Sequence, residues 1–300
     1  MKIKTKDLRY EEVLALPLEK HQNPMRQTGA VRLLLKAVSF FDLRAVGFTF
    51  EKTGMEKLAA EEPCLILMNH SSFIDLKIVA TLLSDREYHI VCTQDGFVGK
   101  RLLMRLLGCI PAKKFINDIT LIKDMRYTLQ KLHASVLMYP EASYSFDGTE
   151  TPLPDSLGKC IKLLKVPVVM IRTSGAFLRD PLYNGLQLRK TKVSAKMEYL
   201  LSPEEIAEKS AGEINEILRN VFSFDYFKEQ QEQGILIKEP FRADGLQRAL
   251  YRCPHCQTEG MTEGKGTRLI CHACGISYEL SETGYLKADR GETRFSHIPD

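Results

Sequence analysis

Short uninterrupted apolar runs alternate along this chain with longer stretches of helical periodicity. Pro63-Cys64-Leu65-Ile66-Leu67-Met68 reads as a buried strand, as do Tyr88-His89-Ile90-Val91-Cys92 and Ser135-Val136-Leu137-Met138-Tyr139. Val166-Pro167-Val168-Val169-Met170-Ile171 reads as a fourth, with Pro167 near its start, and Val193 to Leu201 alternates like a fifth. Between them, Asp75 to Leu83, Gly99 to Leu107 and Asn117 to His133 carry helical patterns. In the last of these, Asp118 near the start and Lys131 near the end suit the helix dipole. Ser202 followed by Pro203 reads as a cap opening a charged helical region over 203–233. Residues 1–29 are polar and read as loosely structured, with Pro17 and Pro24 as breakers.

Strands alternating with helices predict an α/β fold, a layered domain with a central sheet flanked by helices. The segment from Ala30 to Phe50 is the most apolar of the helical stretches, but Arg32, Lys36, Asp42 and Arg44 interrupt it. It fits an amphipathic helix, or a helix followed by a strand. Such a helix either packs on the core or lies in a headgroup layer. No run approaches the ~20 apolar residues that a spanning helix requires.

Composition narrows the class. The 300 residues are 44% hydrophobic and 27% charged, as in soluble folded protein, and suffice for one large domain or two modest ones. Forty-two basic and 38 acidic side chains leave a net charge of +4. That small excess does not demand nucleic acid, and it suits an anionic membrane surface or anionic substrates. The polar start, Met1-Lys2-Ile3-Lys4-Thr5-Lys6-Asp7, has no apolar signal core. The expectation is a cytoplasmic protein with reduced thiols, peripheral on the inner face of the membrane.

Two blocks carry candidate chemistry. Met68-Asn69-His70-Ser71-Ser72-Phe73-Ile74-Asp75 joins a predicted strand to a predicted helix. A histidine at a strand end can be exposed in a cleft, and an aspartate opening the next helix can turn back to fix its tautomer. The plainer alternative is a loop histidine bonded to backbone, with Asp75 as a helix cap. Tyr139-Pro140-Glu141-Ala142-Ser143-Tyr144-Ser145 also follows a predicted strand, and alone it reads as a turn.

Taken together and in this order, the blocks resemble the glycerolipid acyltransferase family, which includes the lysophosphatidic acid acyltransferases. Asn69-His70-Ser71-Ser72-Phe73-Ile74-Asp75 matches the family's N-H-x-x-x-x-D block, and Tyr139-Pro140-Glu141 its aromatic-P-E block. Gly108 and Lys114 loosely match an intermediate block, and Val166-Pro167-Val168-Val169 a last one. Ala142 stands where the family has glycine, Ser143-Tyr144 where it has Thr-Arg, Lys114 where it has arginine, and Met170 where it has a second proline. The resemblance covers roughly residues 30–235.

The resemblance implies transfer of a fatty acyl group from a thioester co-substrate to a hydroxyl of a lysophospholipid acceptor of the 1-acylglycerol-3-phosphate type. The donor would be acyl-CoA or an acyl-carrier protein. His70 would take the hydroxyl proton and Asp75 would hold the imidazole, with no covalent acyl-enzyme. Glu141 would bind the acceptor or organise the site. Asn69, Ser71, Lys113, Lys114 and Ser143 complete the expected substrate-binding set. Between Phe97 and Lys131 eight cations face only Asp118 and Asp124, a local excess of six charges. That run is either a solvated helix face or a surface for lipid phosphate, coenzyme A or an acyl carrier.

The eight cysteines fall into two groups. Cys64, Cys92, Cys109 and Cys160 are scattered through apolar sequence and read as small core residues. Cys253-Pro254-His255-Cys256 and Cys271-His272-Ala273-Cys274-Gly275 are two C-x-x-C pairs 14 residues apart. That spacing can place four thiolates tetrahedrally around a structural zinc, and it resembles a zinc ribbon. Arg268-Leu269-Ile270 and Ile276-Ser277-Tyr278-Glu279-Leu280 read as its short strands, and Gly260, Gly264 and Gly266 suit a hairpin. Redox disulfides are the alternative, but no thioredoxin-like pattern surrounds either pair. A module of ~50 residues is too small to rely on its core alone, so a metal would supply folding energy.

The expected organisation is a polar segment over 1–29, the α/β domain over 30–235, a linker over 236–247, and a small zinc-ribbon β domain with its tail over 248–300. Arg252, Lys265 and Arg268 are balanced by Glu259, Glu263 and Glu279, so no nucleic acid is expected as a partner. Two alternatives remain open: an inert acyltransferase-like domain serving a binding ribbon, and acyl transfer to an acceptor that is not a phospholipid.

Overall fold

Seven strands form one mixed sheet in the computed structural model, which describes residues 6–16, 20–114, 116 and 118–300. They are β1 (Thr49–Thr53), β2 (Leu65–Met68), β3 (Tyr88–Thr93), β4 (Cys109–Ala112), β5 (Ser135–Met138), β6 (Val168–Ser174) and β7 (Ser194–Leu201). Their spatial order is β1-β7-β6-β2-β5-β3-β4. The strands from β6 to β4 run parallel. β7 runs antiparallel to β6, and β1 parallel to β7. Pro17, the first five residues and Asn117, where a helix was expected to begin, lie outside the described residues.

The helices are α1 (Tyr10–Leu14), α2 (Gly29–Ala45), α3 (Asp75–Leu82), α4 (Arg101–Leu106), α5 (Ile119–Gln130), α6 (Leu157–Leu164), α7 (Ala176–Arg179), α8 (Pro203–Glu208), α9 (Ala211–Phe222) and α10 (Tyr226–Glu232). Successive side chains of a strand point to opposite faces, so central β2 feeds two cores. Ile66 and Met68 join Leu43 of α2 and Ile78, Val79 and Leu82 of α3. Leu65 and Leu67 join Met125 and Leu129 of α5, Ile161 of α6 and Ile214 and Leu218 of α9. Burial on both faces explains why β2 reads as a continuous apolar run.

The α/β class expected from the sequence is the one the chain adopts. Ala30 to Phe50 resolves as a helix followed by a strand, α2 and then β1. The charged region over 203–233 resolves as three helices. Reciprocal Ser202–Glu205 and Ser210–Glu213 capping boxes start the first two, and Asp225 caps the third. Several elements carried no visible signal, among them β4 and α6. β4 is four residues long and contains Pro111, and α6 has Gly158 in its first turn, where Ala211 leaves no room for a Cβ. The N-terminal segment, expected to be loose, contains the single turn α1, whose start is tied by Arg9 N–H to Glu12 Oε2 at 2.7 Å.

A separate four-stranded antiparallel sheet follows, built from β8 (Thr262–Lys265), β9 (Arg268–Cys271), β10 (Ser277–Leu280) and β11 (Leu286–Ala288) in the order β11-β10-β9-β8. Its core residues Leu269, Tyr278 and Leu280 share one cluster with Phe177, Tyr183, Tyr226 and Phe227 of the α/β part. The segment 236–247 contributes Ile237, Ala243 and Leu246 to the same cluster, so it is packed rather than extended in solvent. A Cβ on Gly264 would meet Ala243 O at 2.3 Å, which is how closely the ribbon hairpin approaches it. Among the described residues, no helix is long and apolar enough to cross a membrane.

Candidate active site

Adjacent parallel strands bring the two sequence blocks together. β2 pairs with β5, so the loop over 69–74 and the loop over 139–145 leave the sheet side by side at carboxyl ends. A backbone bond from Ser145 N–H to His70 O, 2.9 Å, joins them.

His70 lies at the end of β2 and Asp75 opens α3. His70 Nδ1 is 3.0 Å from Asp75 Oδ2. Donation from Nδ1 to this carboxylate leaves Nε2 as the ring nitrogen without a proton. Oδ2 also accepts the Ser71 and Ser72 amides at 2.8 and 3.1 Å. Asp75 therefore contacts the imidazole and gathers the loop amides through one oxygen, whereas the helix-cap role expected as the alternative is not taken, since Ile74 is the N-cap of α3 and makes no side-chain cap. Asp75 is fully buried, while the His70 side chain keeps 17% of its exposure.

Two aromatic rings enclose the imidazole. Tyr139 and Tyr144 stack on opposite sides of the block, each with its ring centroid 4.0 Å from that of His70. Phe73 meets the edge of Tyr144 at 5.4 Å. Burial pushes the Tyr144 phenol up to about 12 and holds the Tyr139 phenol well above its ordinary value.

Glu141 is buried and organises both loops. One oxygen accepts the His70 amide and the other the Thr151 amide, each at 3.0 Å. Burial pushes its carboxyl up to about 7, against the opposing pull of those two amides. Ala142, in the family's glycine position, adopts φ 56°, the left-handed conformation that glycine takes most readily.

Asn69 and Ser71 turn inward. Asn69 Oδ1 accepts the Thr173 amide at 2.9 Å, and its Nδ2 donates to Thr173 Oγ1 at 3.1 Å. Both Asn69 and Ser71 are bonded to the Tyr226 hydroxyl. Ser72 Oγ donates to Asp180, which Arg179 Nη1 contacts at 3.1 Å. Burial raises the Asp180 carboxyl, and Ser72 and Arg179 counter it.

Lys114 reaches the rim of the site, with Nζ 3.5 Å from Ala142 O. Lys113 is exposed, and its amide donates to Asp118 Oδ2 at 3.0 Å. Ser143 is exposed in the second loop. Of the basic segment, Arg105 ties down Gln22 and the Asn23 carbonyl. Thr173, Asp180 and Tyr226 carried no motif that marked them as site residues. Tyr139 and Tyr144 were visible in the block, but their stacking on His70 was not.

The paired cysteines converge elsewhere. The sulfurs of Cys253, Cys256, Cys271 and Cys274 all lie within 4.8 Å of one another, with Cys253–Cys274 and Cys256–Cys271 both at 3.8 Å. A zinc–sulfur bond of ~2.3 Å in tetrahedral geometry places sulfurs about 3.8 Å apart, so the four thiols fit that metal. Gln257 (φ 62°) and Gly275 (φ 69°) turn the two knuckles. His255 and His272 are exposed, and His272 pairs with Glu263 at 2.8 Å.

Known proteins share the α/β part. Residues 49–174 match the family model described as Acyltransferase. The chain is 24% identical over 128 residues to human (Homo sapiens) 1-acyl-sn-glycerol-3-phosphate acyltransferase beta, covering 42% of this chain and 46% of that protein. It is 30% identical over 137 residues to the chloroplastic 1-acyl-sn-glycerol-3-phosphate acyltransferase BAT2 of Brassica napus, covering 43% and 39%. The matches thus span less than half of either relative. In fold, the chain is similar to the crystal structure of the 1-acyl-sn-glycerophosphate (LPA) acyltransferase PlsC from Thermotoga maritima. The TM-score is 0.50 at 17% identity, over 64% of this chain and 78% of that one.

Proposed function

We propose that this chain, whose residues 49–174 match the Acyltransferase family model, is a glycerolipid acyltransferase that transfers a fatty acyl group from a thioester to a lysophospholipid hydroxyl. The observation that carries the proposal is the 3.0 Å contact between His70 Nδ1 and a buried Asp75. His70 Nε2 takes the proton of the acceptor hydroxyl as its oxygen attacks the thioester carbonyl. The C–O bond forms, the C–S bond breaks, and the proton passes to the leaving thiolate. Asp75 holds the ring and balances the transient imidazolium. Glu141 ties the two loops into one rigid site, and Lys114 at its rim, with exposed Lys113 and Ser143, receives an anionic substrate. The donor is acyl-CoA or an acyl-carrier protein.

The cysteine cluster holds a structural zinc in this reading. Four protein thiolates complete its coordination and leave no open position. The α/β domain occupies 30–235, and the ribbon with its tail 248–300. The protein docks peripherally on an anionic membrane surface. Leu33, Leu34, Val38 and Phe41 on α2 are exposed, with Phe41 at 76%, while Ser39 and Leu43 face the core.

A second reading has support in one residue. Tyr144 is an uncharged ring where the family resemblance expects an arginine, which favours an acceptor hydroxyl without a phosphate. Acyl transfer assayed with lysophosphatidic acid beside a neutral lipid alcohol separates the two. Turnover of the first supports the phosphate acceptor, and turnover of the second alone moves the assignment to the other.

A further inference from the structure

The buried phenol of Tyr226 bridges the two residues that flank His70. Asn69 Nδ2 donates to its oxygen, and a second hydrogen bond joins that oxygen to Ser71 Oγ. The Tyr226 ring is stacked on Phe177, with centroids 5.2 Å apart and planes inclined by 10°, and leans on Phe224 at 4.6 Å. Tyr226 is the first residue of α10, which is seven residues long. An isolated helix of that length does not hold its shape in water, so its position comes from what packs on it.

The C-terminal part packs on it. Gln230 Nε2 donates to Glu282 O at 2.9 Å, and Ile237 N–H donates to the same carbonyl at 2.8 Å. Gly284 lies so close that a Cβ there would meet Gln230 Oε1 at 2.5 Å. Asp225, the cap of α10, has Oδ2 2.9 Å from His297 Nε2. Tyr226 and Phe227 share their core with Cys253, Cys271, Leu269 and Tyr278.

We propose that Tyr226 is a positioning residue for the catalytic loop, and that the cysteine-bearing module holds it in place through α10. The proposal rests on reading His70 as the base. The loop presents the Ser71 and Ser72 amides to the same Asp75 oxygen that orients His70. A displacement of about 1 Å there is enough to misalign an acid–base pair. A metal on the four thiolates stabilises the module, and its loss releases α10 and then the loop. The cysteines thereby act on turnover without touching substrate.

The test combines hydrogen exchange over residues 69–75 with steady-state acyl transfer. The full chain is compared with Tyr226→Phe and with the same chain stripped of metal by a chelator. Tyr226→Phe keeps the ring and removes only the bridging hydroxyl. We expect faster exchange at the Ser71 and Ser72 amides, a kcat lower by about tenfold, and a KM within about twofold of wild type. Metal stripping is expected to speed exchange over 69–75 as well as over 248–300. Wild-type exchange over 69–75 in Tyr226→Phe overturns the positioning role. Protection over 69–75 that survives metal removal overturns the role of the module. Failure of the acyl-transfer reading gives a different result: no sample transfers acyl groups, yet exchange over 69–75 still responds to both treatments.

Discussion

Tyr144 lies over the His70 imidazole with ring centroids 4.0 Å apart and planes inclined by 28°. Tyr139 covers the ring at the same distance. Stacked aromatic pairs contribute about 0.5–1.5 kcal/mol beyond their burial, and this contact also limits rotation of the imidazole. Tyr144→Leu is expected to lower kcat by roughly three- to tenfold, while Tyr144→Phe retains most of it, because the ring and not the hydroxyl makes the contact. Steady-state kinetics on the pair decide it, and equal losses in both variants would assign the role to the hydroxyl.

Asp75 Oδ2 receives three donors, from His70, Ser71 and Ser72. Asp75→Asn removes the charge that steadies an imidazolium and allows the wrong tautomer. A fall in kcat on the order of a thousandfold or more is expected, with the fold intact. Circular dichroism beside the kinetics checks both halves. A loss below about tenfold would show that the carboxylate is a loop cap only.

Glu141 gives a pH dependence of stability. Burial raises its carboxyl from 4.5 to about 7. Between those values the folded chain holds a proton that the unfolded chain has lost. This contribution to stability is complete below about pH 4.5 and disappears as pH rises to about 7, a change of roughly 3 kcal/mol. Denaturant unfolding at about pH 5 and pH 7.5 should show wild type losing more stability across the interval than Glu141→Gln. Equal changes in the two proteins contradict the assignment.

The order of these elements along the chain explains what the sequence disclosed. His70 and Asp75 lie five residues apart at a strand–helix junction, so local spacing encoded their contact. Glu141 was visible because its block follows another strand, although only the β2–β5 pairing places it under the His70 amide. Tyr226 sits 155 residues beyond Ser71, in a charged helical stretch without a motif, and reaches the site only through tertiary packing. β2 was legible because both its faces are buried. β4 was not, since a four-residue strand with a proline carries little pattern. The packed state of 236–247 was hidden as well, because it depends on Gly264 of a distant hairpin.

The cysteine cluster predicts one tightly held zinc per chain, measurable by metal analysis of the purified protein. Substituted cobalt(II) should show strong thiolate-to-metal absorption, which Cys253→Ser or Cys271→Ser weakens. Structural zinc binding in small domains contributes on the order of 10 kcal/mol, so chelation is expected to unfold 248–300. A metal-free protein whose thermal unfolding ignores chelators would count against the site.

The central claim is that His70 is the base for acyl transfer. The most direct measurement is transfer of a labelled acyl chain from acyl-CoA, and separately from acyl-carrier protein, to lysophosphatidic acid by wild type and His70→Ala at matched folded concentration. Turnover by wild type with at least one donor is expected, with a loss in His70→Ala of at least about a hundredfold. Equal turnover by the two proteins would contradict it.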